Sequence, residues 1–599
     1  MKLITELRQI DTDYEVGTIQ ITDGLTFSQH NTIRTTEFYS NSQFLNGNKD
    51  SRGREKPFYN IVNTMVDTAV VATDIDTKDV QVTADNEASY DKSFLYNHEI
   101  QQWMKESDFA RVLNEMGETR ARYGGVVIKK TEDEGEMEIA VVEWKNVVTD
   151  QVDIEGGTII EKHYLTPSEL RQKGEIWENV EDAIDLYSKK SYTRSDEKIE
   201  VWEAHGEFPD EWNTTEDIDV VGAKSYSKQV HYFTVRGAKQ VHLYAAEEDS
   251  LPYKYLPWKK MSGRALGRGV VEEGEESQVW TNDGVLKEKQ YMEWASKIFL
   301  KTNSKKMGQN ASTDHENGDI FTLEEGKDIN VLNMTTGVQP KFQEIIDKWW
   351  SQYERVTSSY DAVRGETPPS GQPYRLQALV SQTGASHFDY RREEWGIFLK
   401  ELFYDWVFPY VKSKLTSQHI LASDFSPTEL KRLDESFAIH EANKFVIDQV
   451  LEGKIITAEE YEMAIQQYTE FASEGGTRRF LDVPKGYYKD MKAHLSIDVT
   501  GEQKNKQATL ESLSTILTTV QASFNPNTGT YGILEDPVLS GVFNELIEAS
   551  GAGLSPISLT KGGTQAQAQV AQQPAPQGAQ PSQPLGQDEI SAVQPQATQ

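Results

Sequence analysis

The residue patterns that could support catalysis or ligand binding are few in this sequence. The stretch GRALGRG at 263–269 has the glycines of a phosphate-binding loop but lacks the Lys-Ser/Thr pair that engages phosphate and metal. The acidic clusters DTDYEV, TDIDTKD and EDIDVV lack the twelve-residue frame, the glycine and the terminal glutamate of a calcium loop. We therefore expect a turn before a helix in the first case and solvated surface in the others.

Histidine and lysine offer two further candidates. His387 lies in ASHFDYRREEW on a predicted helix, but no nucleophile or partner base is evident nearby, so we expect a structural or surface role. Lys301, Lys305 and Lys306 form a small basic patch where a predicted long helix enters a short insert. Two interpretations stay open. The lysines either complement the dipole at the end of the helix, or Lys305 and Lys306 contact a phosphate or a partner protein.

Several classes of chemistry are excluded by missing residues. The sequence has no HExxH, P-loop, nucleophile-elbow or kinase signature. It has no cysteine, which rules out disulfides, zinc thiolate sites, iron–sulfur ligation and thiol nucleophiles. We expect no catalytic residue, no cofactor and no metal. An enzyme would need a site that this sequence does not display.

The charge balance restricts the kind of partner. The 599 residues include 95 acidic and 61 basic side chains, a formal net charge of −34. Tight, sequence-independent capture of DNA or RNA depends on Lys and Arg that neutralise phosphates, so this composition argues against it. The acidity indicates either good solubility or a surface that stays near a polyanion without adhering to it.

The sequence predicts a soluble protein made inside a cell. Its first residues, MKLITELRQIDTDYEV, are charged and lack the apolar region of a signal peptide. No run of about 18 apolar residues occurs, so we expect no membrane-spanning helix. At this length several structural regions are expected.

The first half of the chain is predicted to be an arm followed by an α+β domain. Residues 1–56 are polar and weakly periodic, which predicts an extended arm with little core of its own. From Pro57, interpreted as a first-turn proline, a helix is expected. A strand in DVQVTAD, one helix from SFLY to RARYG and a hairpin in GVVIKKTEDEGEMEIAVVEW follow. Further strands are predicted in TIIEKHYL, KIEVWEAHGEF, VHYFTVRG and QVHLYAAEE.

The middle of the chain predicts two long antiparallel helices joined by a small β insert. The first carries apolar residues at helical spacing, and the second, KFQEIIDKWWSQYERVTSSYDAV, resumes that pattern. Two strands, DIFTL and DINVLN, are expected in the insert. The stripe on the first helix comprises Val279, Trp280, Leu286, Tyr291, Trp294, Ala295, Ile298 and Phe299.

A loop rich in proline then separates these helices from a very long one. In GETPPSGQPYRLQALVSQ the prolines remove backbone donors and fix φ, so the preceding helix must stop. The helix after the loop is expected to bend near Gly384 and Pro409. Capping motifs in SPTEL and TAEEY predict two more helices, followed by a strand in HLSIDVTG and a helix in EQKNKQATLESLSTILTTVQASF. Residues from about 560 onward are rich in Gln, Ala and Pro and are predicted to be disordered.

This order of elements resembles the portal proteins of tailed bacteriophages, which form the ring at the capsid vertex through which DNA passes. The resemblance covers about residues 57–558. YKYLPWKKMSGRALGRGVVEEGEESQ looks like the segment leading into the first stem helix, and TPPSGQPYRLQAL looks like the tunnel loop with the start of the helix after it. HLSIDVTGEQKNKQATLESLSTIL resembles the wing strand and crown entry of portals from short-tailed phages.

The resemblance implies a portal-like α+β fold with a mixed α/β wing, long stem helices, a small β clip and a helical crown. The implied regions are an N-terminal arm (1–56), wing (57–267), first stem helix (268–302), clip (303–340), second stem helix (341–364), tunnel loop (365–375), long helix and wing return (376–499), crown (500–558) and disordered tail (559–599).

The resemblance also implies a function without catalysis. The chain would form a homododecamer at the capsid vertex of a virion, assembled in the host cytoplasm and making no membrane contact. Double-stranded DNA would pass through it during packaging and ejection. Its partners would be the terminase packaging motor, head–tail adaptors, and the major capsid and scaffold proteins. The alternatives are another head–tail assembly or scaffold-type protein, for which the chain is long, and an enzyme with an unrecognised site.

Three groups of residues receive roles from this resemblance. The stem helices would pack between subunits through their tryptophans, although these side chains could instead fill a core within one chain. Lys305 and Lys306 in the clip would contact a partner. The stem tryptophans are Trp280, Trp294, Trp349 and Trp350, and the residues of the DNA-channel loop are Pro368, Pro369, Ser370, Gly371, Gln372, Pro373 and Tyr374.

Overall fold

A computed structural model gives the fold of the chain. Contacts within the chain divide it into two units, residues 1–501 and 502–599. In the second unit, strands β17 (Phe524–Asn525) and β18 (Thr530–Tyr531) pair antiparallel. The described residues are 2–75, 77, 80–84, 87–133, 135–187, 198–216, 218–220, 222–295, 299–303, 325–326, 329–332, 341–360, 374–415, 419–421, 427–473, 480–482, 493–497, 518, 524–525 and 530–531.

The N-terminal region is folded, so the prediction of an extended arm over 1–56 is wrong. The start of α1 has one apolar face, in which Leu3 and Ile4 lie one helical turn before Leu7. These three side chains are buried against a sheet, which explains why a segment of such polar composition forms a helix. The elements are α1 (Leu3–Val16), β1 (Ile19–Thr22), β2 (Leu25–Phe27) and α2 (Gln29–Ser40).

A five-stranded antiparallel sheet receives α1 on one face. Strand alternation directs Trp202 and Ala204 to the face that α1 covers, while Ile199 and Val201 point to the opposite face and meet two short helices. All four strands predicted in this region are confirmed. The sheet order is β10-β9-β8-β7-β6, with β6 (Val147–Val148), β7 (Ile159–Leu165), β8 (Ile199–Pro209), β9 (Tyr226–Arg236), β10 (Lys239–Glu247), and helices α6 (Pro167–Lys173) and α7 (Val180–Tyr187).

A three-stranded sheet and three helices complete the first half. The hairpin of β4 (Gly125–Asp133) and β5 (Glu136–Val141) is confirmed, and β11 (Tyr253–Pro257) pairs with β4. Where one helix was predicted there are two, because Asp108 takes a left-handed conformation with φ of 50° between them. Pro57 precedes its helix rather than starting it. The helices are α3 (Val62–Thr73), α4 (Glu87–Glu106) and α5 (Phe109–Tyr123).

The predicted order of helix, small β insert and helix is confirmed for the middle of the chain. Helices α8 (Val270–Glu273) and α9 (Glu275–Ala295) lead to β12 (Phe299–Thr302), which pairs antiparallel with β13 (Ile329–Leu332). Helix α10 (Lys341–Thr357) then returns along α9. Phe299 belongs to a strand, so its predicted place on the first helix is wrong. The strand predicted in DIFTL lies outside the described residues.

The long helix after the loop is also present. Helix α11 (Tyr374–Leu402) continues without a break through Gly384, where a bend was predicted. A π-helical turn (Phe403–Val407) then leads into α12 (Phe408–Leu415). Pro409 has no N–H to give to the carbonyl four residues before it, so the altered turn lies where an α-helical bond would be missing.

The remaining elements return to the body of the first unit. The strand predicted in HLSIDVTG is β16 (Ala493–Ile497), which pairs with β3 (Val80–Ala84), also a predicted strand. Strands β14 (His419–Leu421) and β15 (Phe480–Asp482) form a second small pair. Both predicted C-terminal helices are confirmed as α13 (Pro427–Leu451) and α14 (Ala458–Ser473).

The described fold is mixed α+β, as the sequence predicts, with its largest apolar cluster between α4, α5, the three-stranded sheet and the long helix. The helix predicted over EQKNKQATLESLSTILTTVQASF and the tail predicted to be disordered lie almost entirely outside the described residues. Among the described helices, none combines the length and apolar character needed to cross a membrane.

Candidate functional site

The predicted loop and clip residues fall largely outside the described part of the chain. This applies to Lys305 and Lys306, and to the six loop residues from Pro368 to Pro373. The structure describes the helices on either side of the loop, since α10 ends at Thr357 and α11 begins at Tyr374. The loop and clip assignments remain predictions.

The long helix that follows the loop is anchored by a buried arginine that sequence reasoning missed. Arg120 on α5 donates from Nε to the Pro257 carbonyl at 3.0 Å and from Nη1 to the Arg391 carbonyl on α11 at 3.0 Å. Its Nη2 lies 3.3 Å from a carboxylate oxygen of Glu394. Burial lowers the pKa of the Arg120 guanidinium to about 9. These bonds fix α11 relative to the body of the unit.

The glycine-rich stretch 263–269 forms a backbone crossing, as the expectation of a turn implied. Gly124 ends α5 with φ of 97°, and its backbone touches Gly267 and Gly269, so a Cβ on any of the three would overlap a backbone atom. Arg264 is paired with Glu272 through two hydrogen bonds of 2.8 and 2.9 Å. The glycines therefore serve close packing before α8.

Helices α9 and α10 form an antiparallel pair, which we call the stem hairpin. Tyr353 lies fully buried against Gly274 and donates from its hydroxyl to the Val270 carbonyl at 2.9 Å. Farther along, Ile346 packs against Gly284. Glycines just before α9 and within it thus let two large side chains of α10 approach closely.

The buried face of α9 is polar, which the apolar stripe in the sequence did not predict. Ser277, Gln278, Thr281 and Asn282 are buried. Gln278 accepts from the Ile61 backbone N–H at 3.0 Å and donates to the Tyr59 carbonyl at 2.7 Å, and Asn282 accepts from the Tyr59 N–H at 2.9 Å. These amides satisfy backbone groups of an irregular segment, so this face of α9 binds the chain that precedes α3.

The tryptophans of the stem hairpin divide into different environments. Trp280 and Trp349 stack with ring centroids 5.8 Å apart and planes 1° from parallel, while Trp280 remains 46% exposed. Trp350 instead packs partly buried against an apolar cluster, and its Nε1 donates to Glu354 at 2.7 Å. Trp294 lies on α9, and its side chain is outside the described residues. The structure therefore joins two of the four predicted tryptophans.

Other apolar side chains of the stem hairpin are exposed beside this pair. They are Val279 and Met292 on α9, and Ile345 and Val356 on α10. Together with Trp280 they leave apolar side chains on the exposed surface of the hairpin, whereas Ile346 and Tyr353 of α10 are buried against Gly284 and Gly274. A helix pair that serves only its own core would bury more of these side chains.

A second group of chemical side chains lies between the two sheets. Glu161, Glu203 and Tyr232 stand opposite one another on β7, β8 and β9. Lys129 Nζ, from β4, lies 2.5 Å from Glu203 Oε2 and 3.0 Å from Glu161 Oε2. The Tyr232 hydroxyl donates to Glu203 at 2.6 Å. We call this group, with the histidines described next, the Glu203 network.

Two histidines complete the Glu203 network. His163 Nε2 lies 2.6 Å from Glu203 Oε2, and His205 Nε2 lies 2.8 Å from Glu203 Oε1. The other ring nitrogen of His205 lies 2.8 Å from Glu248. Both strands carry Glu-x-His, a spacing that puts glutamate and histidine on one face of a strand. That repeated pattern is the signal from which the network could have been predicted.

The charges of the Glu203 network compensate one another. Burial alone would raise the pKa of Glu203, but hydrogen bonds from His163 and His205 and the charge of Lys129 hold it well below its usual range. Burial would lower the pKa of Lys129, but Glu203 and Glu161 raise it. For His205, burial likewise acts downward, while hydrogen bonds to Glu203 and Glu248 raise its pKa above the ordinary value. The charged forms are therefore favoured.

This arrangement serves structure better than metal binding. The ligand atoms of Glu161, His163 and Glu203 lie within 4.8 Å of one another, as they would around a cation. However, Lys129 already bonds to both carboxylates, so its ammonium group takes the place that a metal would need. The Glu203 carboxylate is also almost completely buried. The network joins two sheets and leaves no unpaired nucleophile or base at this position.

His387 is exposed on α11, in agreement with the expected surface role.

No protein-family model matches the chain, and no curated protein shows significant similarity to it. Function is therefore inferred from the geometry of the described residues together with the order of the elements.

Proposed function

We propose that the chain is a portal protein, the subunit of a dodecameric ring at the capsid vertex of a tailed bacteriophage. The ring is a conduit for double-stranded DNA during packaging and ejection, and it has no catalytic activity of its own. The proposal rests on the resemblance in element order and on one structural observation, the Trp280–Trp349 stack on the stem hairpin, in which Trp280 is exposed and Trp349 is half-buried.

The stack supports a ring because it calls for a covering surface. The buried amides of α9 bind the backbone of Tyr59 and Ile61, so that face of α9 is occupied and Trp280 lies on another, exposed face. A neighbouring copy that covers this side with a different surface makes a head-to-tail contact, and such contacts close into rings when the rotation between copies permits. The twelvefold number comes from the resemblance.

Acidity supports the role as a conduit. Duplex DNA carries about one negative charge per 1.7 Å of its axis, so a wall that bound phosphates strongly would stall translocation. The net charge of −34 favours a channel that leaves the polymer hydrated and mobile. The loop over 365–375, stiffened by prolines and bearing small polar residues, would project into that channel.

The remaining regions would carry the partners. The clip over 303–340, with Lys305 and Lys306, would meet the terminase motor and later the tail adaptors. The crown over 500–558 and the tail after it would face the capsid interior, and capsid and scaffold proteins would surround the ring. ATP hydrolysis would belong to the motor.

Negative-stain imaging of the purified full chain tests the proposal. We expect twelvefold rings with an axial hole. The double variant Trp280→Ser/Trp349→Ser should sediment as monomers while keeping its far-UV circular dichroism, because the covering contact is lost. Tyr226→Ser is the matched control, since it removes an aromatic side chain that is 62% exposed on β9, and it should leave rings intact.

Two results would contradict the proposal. One is a wild-type chain that remains monomeric at high protein concentration, with Trp280 and Trp349 still accessible to solvent. The other is a double variant that forms the same rings as the wild type, because the stack would then have no part in assembly.

A further inference from the structure

A second helical hairpin, distinct from the stem hairpin, exposes a larger apolar surface. It comprises the end of α13, the connection after it and α14, residues 443–473, and we call it the C-terminal hairpin. The first half of α13 is anchored by buried residues, of which Leu433, Phe437 and Ala442 are examples. After Ala442 no residue of α13 is buried, and α14 has no buried residue along its length.

The two helices of the C-terminal hairpin hold each other with one face of α14. Tyr461, Ile465 and Tyr468 are half-buried at helical spacing, and the Tyr461 hydroxyl donates to Asn443 Oδ1 at 2.7 Å. A capping box starts α14, since Thr457 N–H donates to Glu460 at 2.9 Å. The inner face of α14 is therefore occupied by its packing on α13.

The outer side of the C-terminal hairpin carries large apolar side chains. Leu451 is 81% exposed, Ile455 is 95% exposed and Phe471 is 76% exposed. More exposed apolar residues lie on both helices, namely Ile447, Val450 and Met463. Phe445 is exposed as well, and although single exposed apolar residues are ordinary, seven within about thirty residues of one hairpin mark a binding surface.

Acidic residues outnumber basic residues along the C-terminal hairpin. Residues 443–473 contain six acidic and two basic residues. Both lysines already have acidic neighbours, because Lys454 Nζ lies 3.0 Å from Glu452 and Lys444 Nζ lies 3.8 Å from Glu441. Within the part of the chain that the structure describes, no basic side chain lies within ion-pair distance of Asp448, Glu459, Glu462 or Glu470.

We propose that the C-terminal hairpin is a docking surface for a basic amphipathic helix of a partner protein. Apolar anchors on two adjacent helices are the kind of surface that receives the apolar face of a third helix, and free carboxylates around them pair with Lys or Arg on its flanks. A second copy of this chain, placed hairpin to hairpin, would bring the same acidic residues to the contact. Like charges would oppose that contact, so a basic partner is the occupant. This inference does not depend on ring formation.

Titration of a fluorescent Leu/Lys peptide, patterned as an amphipathic helix, into the full chain tests the proposal. We expect saturable binding that is at least about tenfold weaker for Leu451→Ser/Ile455→Ser/Phe471→Ser. The matched control Val71→Ser/Ile176→Ser removes side chains that are 74% and 68% exposed elsewhere and should bind like the wild type. Glu459→Gln/Glu462→Gln/Glu470→Gln should also bind more weakly and with less dependence on salt. A Leu/Glu peptide of the same pattern should not bind.

Hydrogen exchange on the wild-type chain gives a measurement that needs no variant. The Leu/Lys peptide should slow exchange in residues 443–473. Protection elsewhere, or equal binding by the triple serine variant, would overturn the proposal, because the peptide would then be responding to the overall acidity. Absence of binding would also overturn it. Sedimentation that changes in the serine variant while peptide binding does not would instead identify a second copy as the occupant.

Discussion

The paired sheets and the stem hairpin distribute polarity in opposite ways. Between the sheets, Lys129 and Glu203 are buried and compensate each other, while α1, α6 and α7 cover the apolar strand faces. In the stem hairpin, amides are buried, Trp280 is exposed and its stacking partner Trp349 is half-buried. The sheet region is complete within one chain, whereas the hairpin leaves apolar side chains exposed, which we propose a neighbouring copy covers.

The difference follows from what each region packs against. Regular strands satisfy their own backbone, so the space between the sheets could be filled by side chains that bind one another. Helix α9 lies instead along an irregular segment, in which Arg54 pairs with Glu293 at 2.6 Å and Tyr59 bonds to Asn282. An irregular segment has backbone donors and acceptors that need polar partners, and here side-chain amides of α9 supply them.

The largest effect is expected from removing the buried charge of Lys129, which compensates that of Glu203 between the sheets. Lys129→Met removes the cation and leaves Glu203 buried among fewer partners, so the free energy of unfolding should fall by about 3–5 kcal/mol. Urea denaturation followed by tryptophan fluorescence measures it. Lys130→Met is the control, since the neighbouring lysine points to the surface and pairs with Glu132. Equal losses for the two variants would show that burial of the pair contributes nothing.

A smaller effect is expected where α9 meets α10. Gly274→Ala places a methyl group against the buried Tyr353 ring, which is itself tied to Val270, so the hairpin should lose about 1–3 kcal/mol. Gly284→Ala is the matched variant, because its methyl group would meet only the side chain of Ile346, at 3.1 Å. In thermal unfolding, the Tm of Gly274→Ala should be lower than that of Gly284→Ala. The reverse order would contradict the packing of Tyr353 against Gly274.

The smallest effect concerns pH. The pKa of His205 in the folded state lies above its ordinary value of 6.5, so its contribution to stability is fully present below that pH. It is lost as the pH rises through the folded pKa. The difference in free energy of unfolding between the wild type and His205→Gln should therefore shrink as the pH increases above about 6.5.

The pH dependence follows from the groups packed against His205. The groups that face His205 are Glu203, Glu248 and the Tyr253 ring, whose centroid lies 5.1 Å away. A difference that grew with pH would show that His205 is neutral in the folded protein.

Local patterns in the sequence predicted much of the fold. Six of the eight strands of the two sheets, the helix pair with its β insert and the capped helix α14 follow from alternation, helical spacing and capping residues, whereas β6 and β11 were not predicted. Pairing between distant segments could not be predicted, because nothing in a single sequence joins Val80 to Ile497, which are partners in β3 and β16. Helix α1 was missed because three apolar residues near its start carry most of its burial.

The candidate sites were harder to predict for a physical reason. A helical stripe indicates which residues share a face but not whether that face turns inward, and on α9 Gln278 is buried while Trp280 is exposed. The Glu203 network required the sheet register to bring Lys129 opposite β8, although each Glu-x-His pair was visible alone. Arg120 gave no signal, since its partners Pro257 and Arg391 are far away along the chain.

The contact of Gly124 with Gly267 and Gly269 has an evolutionary consequence. Two backbone segments of the chain touch there with no room for a Cβ atom between them. Substitution of these glycines is therefore unfavourable even when the surrounding residues change. Diverged homologues should keep all three glycines while replacing the strands and helices around them. The three glycines at this spacing would help to identify remote homologues whose overall sequence identity is low.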